Sequence, residues 1–378
     1  MCSAETESNS SSSTEAVRPY ARVTSIRIAV RDGWYNAFTD LAYWKGMYWL
    51  CFRRGTAHGA NNSLEVVLRS NDLWRWHEVR AFESPYGIEG GCAAADGHFY
   101  VTPDRLYIII GTRNPTHAFA SWTSDGVRWS IPELLEIGNV CPYAWRVRWH
   151  QGRFYAAVNY LGTEQEPRLD LIVSEDAVNW KHHSEIMSGQ PPGFHDRPDG
   201  FTEESELHWR ADDELWCVIR TNVAVLYCAR PPYTQWEEAL VLYAGCDAPA
   251  MCETGGEVYL AGRCAASWQG TSETDDTRPF AVQNTFNYPN NPLMRWGTTG
   301  LYRLRRDRAD LLVMLPPGAD TSYPGLVSVE CDKLIMSYYS DVAYISGQIR
   351  PMHFPEYACK RTESDIYIVE IDVGTHAV

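Results

Sequence analysis

An all-β fold, a six-bladed β-propeller of four-stranded antiparallel blades, is what this 378-residue sequence predicts, and three observations predict it. One short pattern recurs: a hydroxyl residue, an Asp two further on and a Trp four beyond that. It occurs as Ser70-Asp72-Trp76, Thr123-Asp125-Trp129 and Ser174-Asp176-Trp180, with the aspartates 53 and then 51 residues apart. A self-similar period of that size marks a repeat architecture. The flanks are aromatic and β-branched runs alternating with period two, which read as short strands and not as helices. One period holds about four such strands, the size of one propeller blade.

The recurring pattern has a structural reading. Asp125 before Gly126, and Asp176 before Ala177, suit a tight turn whose carboxylate caps backbone N–H groups of its own hairpin. The Trp then folds back over the turn. A further copy would end at Trp236, but Arg230 and Pro232 stand where Ser and Asp belong, so the pattern decays there. With these turns as rulers, six innermost strands fall at 36–43, 92–101, 143–149, 203–209, 247–252 and 322–329. Their partners follow at 47–53, 105–111, 152–159, 214–220, 257–263 and 333–340, each after a turn dipeptide such as Lys45-Gly46 or Asp212-Asp213. Two longer segments, 265–297 and 341–362, break the period and read as loops rimming a central funnel. A last strand at 365–372 and an early one at 23–30 are expected to share a blade, which closes the ring and removes its open edge.

Composition bounds the rest. At 45% hydrophobic the chain can bury a large core, and 19–378 reads as one domain. Residues 1–18 are Ser/Glu-rich without an apolar stretch and are expected to be disordered. A net charge of −15 argues against nucleic acid or an anionic membrane as partner, although a local arginine cluster can still take an anionic ligand. Apolar runs such as 106–111 are strand-length, so no membrane span is expected. Eleven Cys show no CxxC or CxxH spacing, which excludes the usual zinc motifs. Most lie inside strand patterns (Cys51, Cys217, Cys228, Cys264), as buried thiols do, which favours a reducing, cytoplasmic setting. Met1-Cys2 before a Ser-rich tether also resembles a mature lipoprotein start, and this leaves a lipid-anchored or exported protein as the alternative. No cofactor and no metal are implied. Aromatics at 13% fit stacked sheets and equally a sugar-binding surface.

In a propeller the tops of the innermost strands converge on the axis, so polar residues there carry the information. Asn36, Asp40, Asp96, Arg146, Glu204, Asp247 and Tyr323 stand on those strands, and second strands end in Arg53-Arg54, Arg220 and Arg263. Carboxylates and arginines from separate blades would meet at one centre.

The three turns in step resemble the Asp-box (BNR) repeats of the sialidase, or neuraminidase, superfamily. That resemblance implies an exo-glycosidase acting on a terminal, acidic sugar of a glycan. Glu204, 16 residues before Arg220 across a strand, a turn and a strand, is similar to the family's catalytic Glu and one arginine of its substrate-carboxylate clamp. Arg263 resembles another clamp arginine, and Tyr323, in the run Ser-Tyr-Pro-Gly at 322–325, resembles the nucleophilic Tyr. The chemistry suits those residue types. A phenol, with a pKa near 10, attacks only if a carboxylate takes its proton. A Tyr nucleophile also avoids setting a carboxylate against an anionic substrate, and arginines hold such a substrate bidentately.

The departures are as informative. Asn36 stands where the family has its first clamp arginine, and the region of the family's acid, 52–58, offers His58 in place of Asp. Candidates for the third arm are Arg53 and Arg146; candidates for the proton donor are Asp40, Asp96 and His58. Two other readings stay open. One is a glycosidase or lyase for a neutral or uronic sugar that uses paired carboxylates, and the other is a propeller that binds a glycan without cleaving it. The same residues also have structural readings: Glu204 with Arg220 as a buried ion pair, Tyr323 as a core Tyr at a turn, and Asp40 and Asp96 as loop caps.

Overall fold

The chain lays down one outer strand, builds five blades in succession, and returns to complete the sixth. The computed structural model describes residues 21–83, 94–112, 117–138, 144–159, 168–189, 204–221, 223–242, 244–265, 297–316, 318, 320–345 and 362–374. The expectation of a disordered 1–18, and most of the two long loops, lie outside these residues. The first strand is β1 (Arg22–Val30). Blade one is β2 (Tyr35–Trp44), β3 (Met47–Gly55), β4 (Leu64–Ser70) and β5 (His77–Phe82). Blade two is β6 (Ala94–Val101), β7 (Leu106–Thr112), β8 (Ala118–Thr123) and β9 (Glu133–Leu134). Blade three is β10 (Val147–His150), β11 (Arg153–Val158), β12 (Arg168–Ser174) and β13 (Trp180–Ser188). Blade four is β14 (Ser205–Trp209), β15 (Leu215–Arg220), β16 (Ala224–Ala229) and β17 (Trp236–Leu242). Blade five is β18 (Asp247–Thr254), β19 (Glu257–Ala265), β20 (Gly297–Leu304) and β21 (Ala309–Met314). Blade six is β22 (Thr321–Glu330), β23 (Lys333–Ser340), β24 (Asp365–Asp372) and, outermost, β1.

Each innermost strand contacts the next, from β2 through β6, β10, β14, β18 and β22 back to β2, so the six sheets form a ring. The fold is therefore a six-bladed propeller. A blade lies between two neighbours and must bury both faces of its middle strands. That is why β7, Leu-Tyr-Ile-Ile-Ile-Gly-Thr, is buried throughout and shows no alternation. The outermost β1 alternates exposed and half-covered residues along its length. Apolar side chains collect between blades: Leu50, Phe52 and Val66 of blade one pack with Ile335, Ile366 and Ile368 of blade six. Each such side chain contributes about 1.5–3 kcal/mol. Closure is antiparallel pairing of β1 with β24, which sets Arg22 opposite Asp372 and Ile26 opposite Val369.

The three repeated turns join the third and fourth strands of blades one to three. Asp72 Oδ1 accepts the backbone N–H groups of Trp74 and Arg75 at 2.8 and 2.9 Å. Asp125 accepts those of Val127 and Arg128, both at 2.8 Å. Asp176 accepts those of Val178 and Asn179 at 3.0 and 2.7 Å. The residue after each Asp (Leu73, Gly126, Ala177) is left-handed, with φ of 64°, 73° and 70°. At Gly126 a side chain would also strike Trp49, since a Cβ would lie 2.9 Å from that ring.

A second device repeats in the innermost strands. Register breaks fall between Ala37 and Asp40 on β2, Ala95 and His98 on β6, Asp247 and Ala250 on β18, and Ser322 and Gly325 on β22. In each, two residues oppose one on the partner strand, which is a β-bulge, and the first of the two is left-handed: Phe38 (57°), Asp96 (55°), Ala248 (51°) and Tyr323 (50°). None of the four is glycine, so each bulge costs about 1–3 kcal/mol of backbone strain that the surrounding blades must hold. The bulges bend the strands at one depth and re-aim Phe38, Asp96 and Tyr323. Below the last of them, Gly325 passes so close to blade one that a Cβ would sit 2.1 Å from the Leu41 nitrogen.

Candidate active site

The bulges place a continuous run of polar contacts around one mouth of the ring, through five of the six blades. From blade six, the Tyr323 hydroxyl donates to Glu204 Oε1 at 2.8 Å. Glu204 stands just ahead of β14, and its Oε2 accepts the Ala248 N–H at 2.9 Å. Arg220, at the end of β15, pairs with Glu204 and donates through Nη1 to the Tyr323 oxygen at 3.2 Å. Its Nε faces Asp247 Oδ1 at 3.0 Å, and Arg263 Nη1 faces the other oxygen of Asp247 at 3.5 Å. Arg263 lies over the Tyr323 ring at 4.7 Å and donates through Nη2 to Tyr339 at 3.4 Å. The Tyr339 hydroxyl donates to Asp320 Oδ1 at 2.6 Å. Asp320 Oδ2 accepts from Tyr35 at 2.8 Å and lies 2.8 Å from His58 Nδ1. The His58 carbonyl accepts Arg53 Nη2 at 2.8 Å, and Arg53 Nη1 faces Asp96 at 3.7 Å.

The electrostatics follow from burial. Burial above all, and then the Glu204 charge, raise the Tyr323 phenol above its ordinary pKa, while Arg220 and Arg263 pull it down. At neutral pH the phenol is protonated and hydrogen-bonded to a carboxylate, with two guanidiniums beside it. Burial works against the charge of Arg220, but Asp247 and Glu204 outweigh it and hold the group firmly cationic. Phe38 meets the Tyr323 ring edge-on at 4.6 Å and Trp145 packs at 5.7 Å, so the phenol swings little.

The structure thus brings together Tyr323, Glu204, Arg220, Arg263, Arg53, His58 and Asp96. Asn36, Asp40 and Arg146 sit elsewhere. The Asn36 amide donates to Asp32 at 2.7 Å and to the carbonyls of Trp34 and Ser364, so it pins the turn before β2 instead of reaching the mouth. Asp40 lies below the bulge of β2 and pairs with Arg146 Nη1 at 2.9 Å. Burial opposes its charge, but Arg146, joined by His98, holds the carboxyl well below the usual range, which unsuits it as a proton donor. Arg146 Nη2 donates to the Pro324 carbonyl at 2.8 Å and so braces the Tyr323 bulge from beneath. Both residues line a cavity of about 330 Å³ at the opposite mouth. Tyr35, Tyr339 and Asp320 are members of the site that sequence reasoning did not name. Tyr339 ends an apolar strand and reads as core. The one available signal for Asp320 is a carboxylate three residues ahead of Tyr323.

No family model matches this sequence, and no curated protein matches it. Solved structures do. The fold is similar to a protein of unknown function from Dyadobacter fermentans, with 15% identity, a TM-score of 0.65, and coverage of 94% of this chain and 100% of that one. It is similar to the endosialidase of phage phi92, with 10% identity, a TM-score of 0.61, and coverage of 94% and 70%. It is also similar to Trypanosoma rangeli sialidase, with 12% identity, a TM-score of 0.60, and coverage of 89% of this chain but 55% of the sialidase, little more than half its length. At these identities the likeness establishes a fold that this chain shares with sialidases and an endosialidase.

Proposed function

We propose that this chain is a sialidase-like glycoside hydrolase that removes a terminal sugar, with Tyr323 as nucleophile and Glu204 as its base. The observation that carries this reading is the 2.8 Å hydrogen bond from the Tyr323 hydroxyl to Glu204, with Arg220 on the same phenol oxygen at 3.2 Å. The proton passes to Glu204 as Tyr323 Oη bonds to the anomeric carbon, and Arg220 and Arg263 offset the negative charge on the pair. In the acidic-sugar form of the reading, Arg220, Arg263 and Arg53 also face the substrate's anionic group. Asp96 or His58 protonates the leaving oxygen.

One observation favours a neutral sugar. Asp247 bridges Arg220 and Arg263, and among the described residues the mouth sets three guanidiniums (Arg53, Arg220, Arg263) against four carboxylates (Asp96, Glu204, Asp247, Asp320). A substrate carboxylate would have to compete with Asp247 for both arginines.

A panel of aryl glycosides decides the matter: sialosides, deaminated sialosides, uronides and neutral hexosides, against wild type and Tyr323→Phe. Loss of at least about 10³-fold in kcat for Tyr323→Phe on the best substrate is the expected result. Full activity in that variant would remove the nucleophile assignment. Binding of glycans with no cleavage of any would favour the binding-only propeller.

A further inference from the structure

Asp320 precedes β22 and is wholly buried, and three protein groups fix it. Its Oδ1 accepts the Tyr339 hydroxyl at 2.6 Å, its Oδ2 accepts the Tyr35 hydroxyl at 2.8 Å, and its backbone N–H donates to Asp341 Oδ2 at 3.1 Å. His58 Nδ1 lies 2.8 Å from the same Oδ2 and 2.6 Å from the Tyr35 oxygen. A carboxylate only accepts, and the Tyr35 hydrogen is already directed at it, so Nδ1 carries the hydrogen in this contact. That fixes the tautomer and makes Nε2 the nitrogen that exchanges a proton. Arg53 Nη2 ties the loop to β3 by donating to the His58 carbonyl at 2.8 Å. Phe38 touches both rings that matter: its centroid is 5.4 Å from His58 and 4.6 Å from Tyr323.

We propose that Asp320 is a positioning residue that holds His58, through Nδ1, as the acid and base of the site. The inference rests on the glycosidase reading above and names the proton donor that reading leaves between two residues. In the first step the bond from the anomeric carbon to the leaving oxygen breaks as His58 Nε2 gives that oxygen its proton. The bond to Tyr323 Oη forms, and the phenol proton moves to Glu204. In the second step water attacks the same carbon, Nε2 takes a proton from the water, the bond to Tyr323 breaks, and Glu204 returns its proton to the phenol. Among the described residues, charged and titratable groups at the imidazole include Asp320, Tyr35 and Arg53, with Tyr339 behind Asp320. Asp320 favours the imidazolium form and Arg53 opposes it, but Asp320 touches the ring nitrogen itself whereas Arg53 touches the backbone carbonyl.

Two measurements test the proposal, and the first needs no turnover. In wild type the His58 ring protons, followed by NMR, titrate about one pH unit higher than in Asp320→Asn, where the anionic partner is gone. An unchanged titration overturns the proposal, whatever the substrate turns out to be. The second compares leaving groups. Asp320→Asn and His58→Asn are each expected to lose about 10²-fold on a glycoside with a poor leaving group, and only a few-fold on a dinitrophenyl glycoside, which departs without a proton. The basic limb of kcat/KM moves down with the NMR value in Asp320→Asn. Equal losses on both leaving groups, or this pattern appearing instead in Asp96→Asn, would assign the proton to another residue. Full activity of Tyr323→Phe would strike the nucleophile assignment, and absence of cleavage by wild type would strike the glycosidase reading; neither would touch the titration result.

Discussion

Glu65 shows how a single buried carboxyl answers to its neighbours. It lies on β4, fully covered, and packs so closely on Gly97 that a Cβ there would come within 2.4 Å of its Oε1. Burial first, and the nearby Asp96 second, push its carboxyl well above the ordinary value. A folded-state pKa above the unfolded one means that its contribution to stability is complete below about pH 4.3, and is lost as pH rises through the folded value. The loss reaches at most about 1.4 kcal/mol per pH unit. Glu65→Gln keeps the shape of the neutral acid without the charge, so its advantage in Tm over wild type is expected to grow from pH 5 to pH 8. A difference that stays constant across that range would show Glu65 to be charged in the fold. Asp40 carries the opposite sign. Its depressed carboxyl stabilises the fold above the unfolded pKa, and that contribution goes as acid approaches the folded value.

At the scale of elements, the outer turns and the inner bulges respond differently to substitution. Gly126→Ala is expected to cost about 1–2 kcal/mol in urea unfolding, because the new methyl meets Trp49 at a positive φ. A cost under a few tenths would mean that the turn relaxes freely. These turns were legible in sequence because Ser, Asp and Gly announce them, and the strand pairs between Lys45-Gly46 or Asp212-Asp213 were legible for the same reason. The bulges were not. Phe38, Asp96, Ala248 and Tyr323 adopt left-handed φ with no glycine to mark it, and two residues opposite one break the period-two rule that tells which way a side chain points. Asp40 was read into the mouth because it is a charged residue on an innermost strand, but it lies past the bulge of β2, paired with Arg146. Glu204 and Tyr323 were named on the same ground, so polarity at an innermost strand finds residues of the mouth without separating them from those beneath it. Tyr339 lies on a second strand reading Leu-Ile-Met-Ser-Tyr, outside the innermost strands where polar residues were sought.

At the scale of the whole molecule, the site exists because strands far apart in sequence share one axis. Tyr35 and Asp320 are 285 positions apart and directly hydrogen-bonded. Blade six depends on β1 for its outer strand, and the loss of that pairing would expose the edge of β24. Deleting 22–30 is therefore expected to lower Tm by several degrees and to give aggregation on gel filtration. A monomer with unchanged Tm would show that three strands suffice there. The same pairing sets Arg22 beside Asp372, so the polypeptide begins and finishes its circuit at adjacent positions on one sheet. A short linker joining those two positions, with the chain reopened between any two other blades, would preserve every pairing in the molecule. The wheel has no obligatory starting spoke, and the order in which its spokes are synthesised can be rotated without moving the hub.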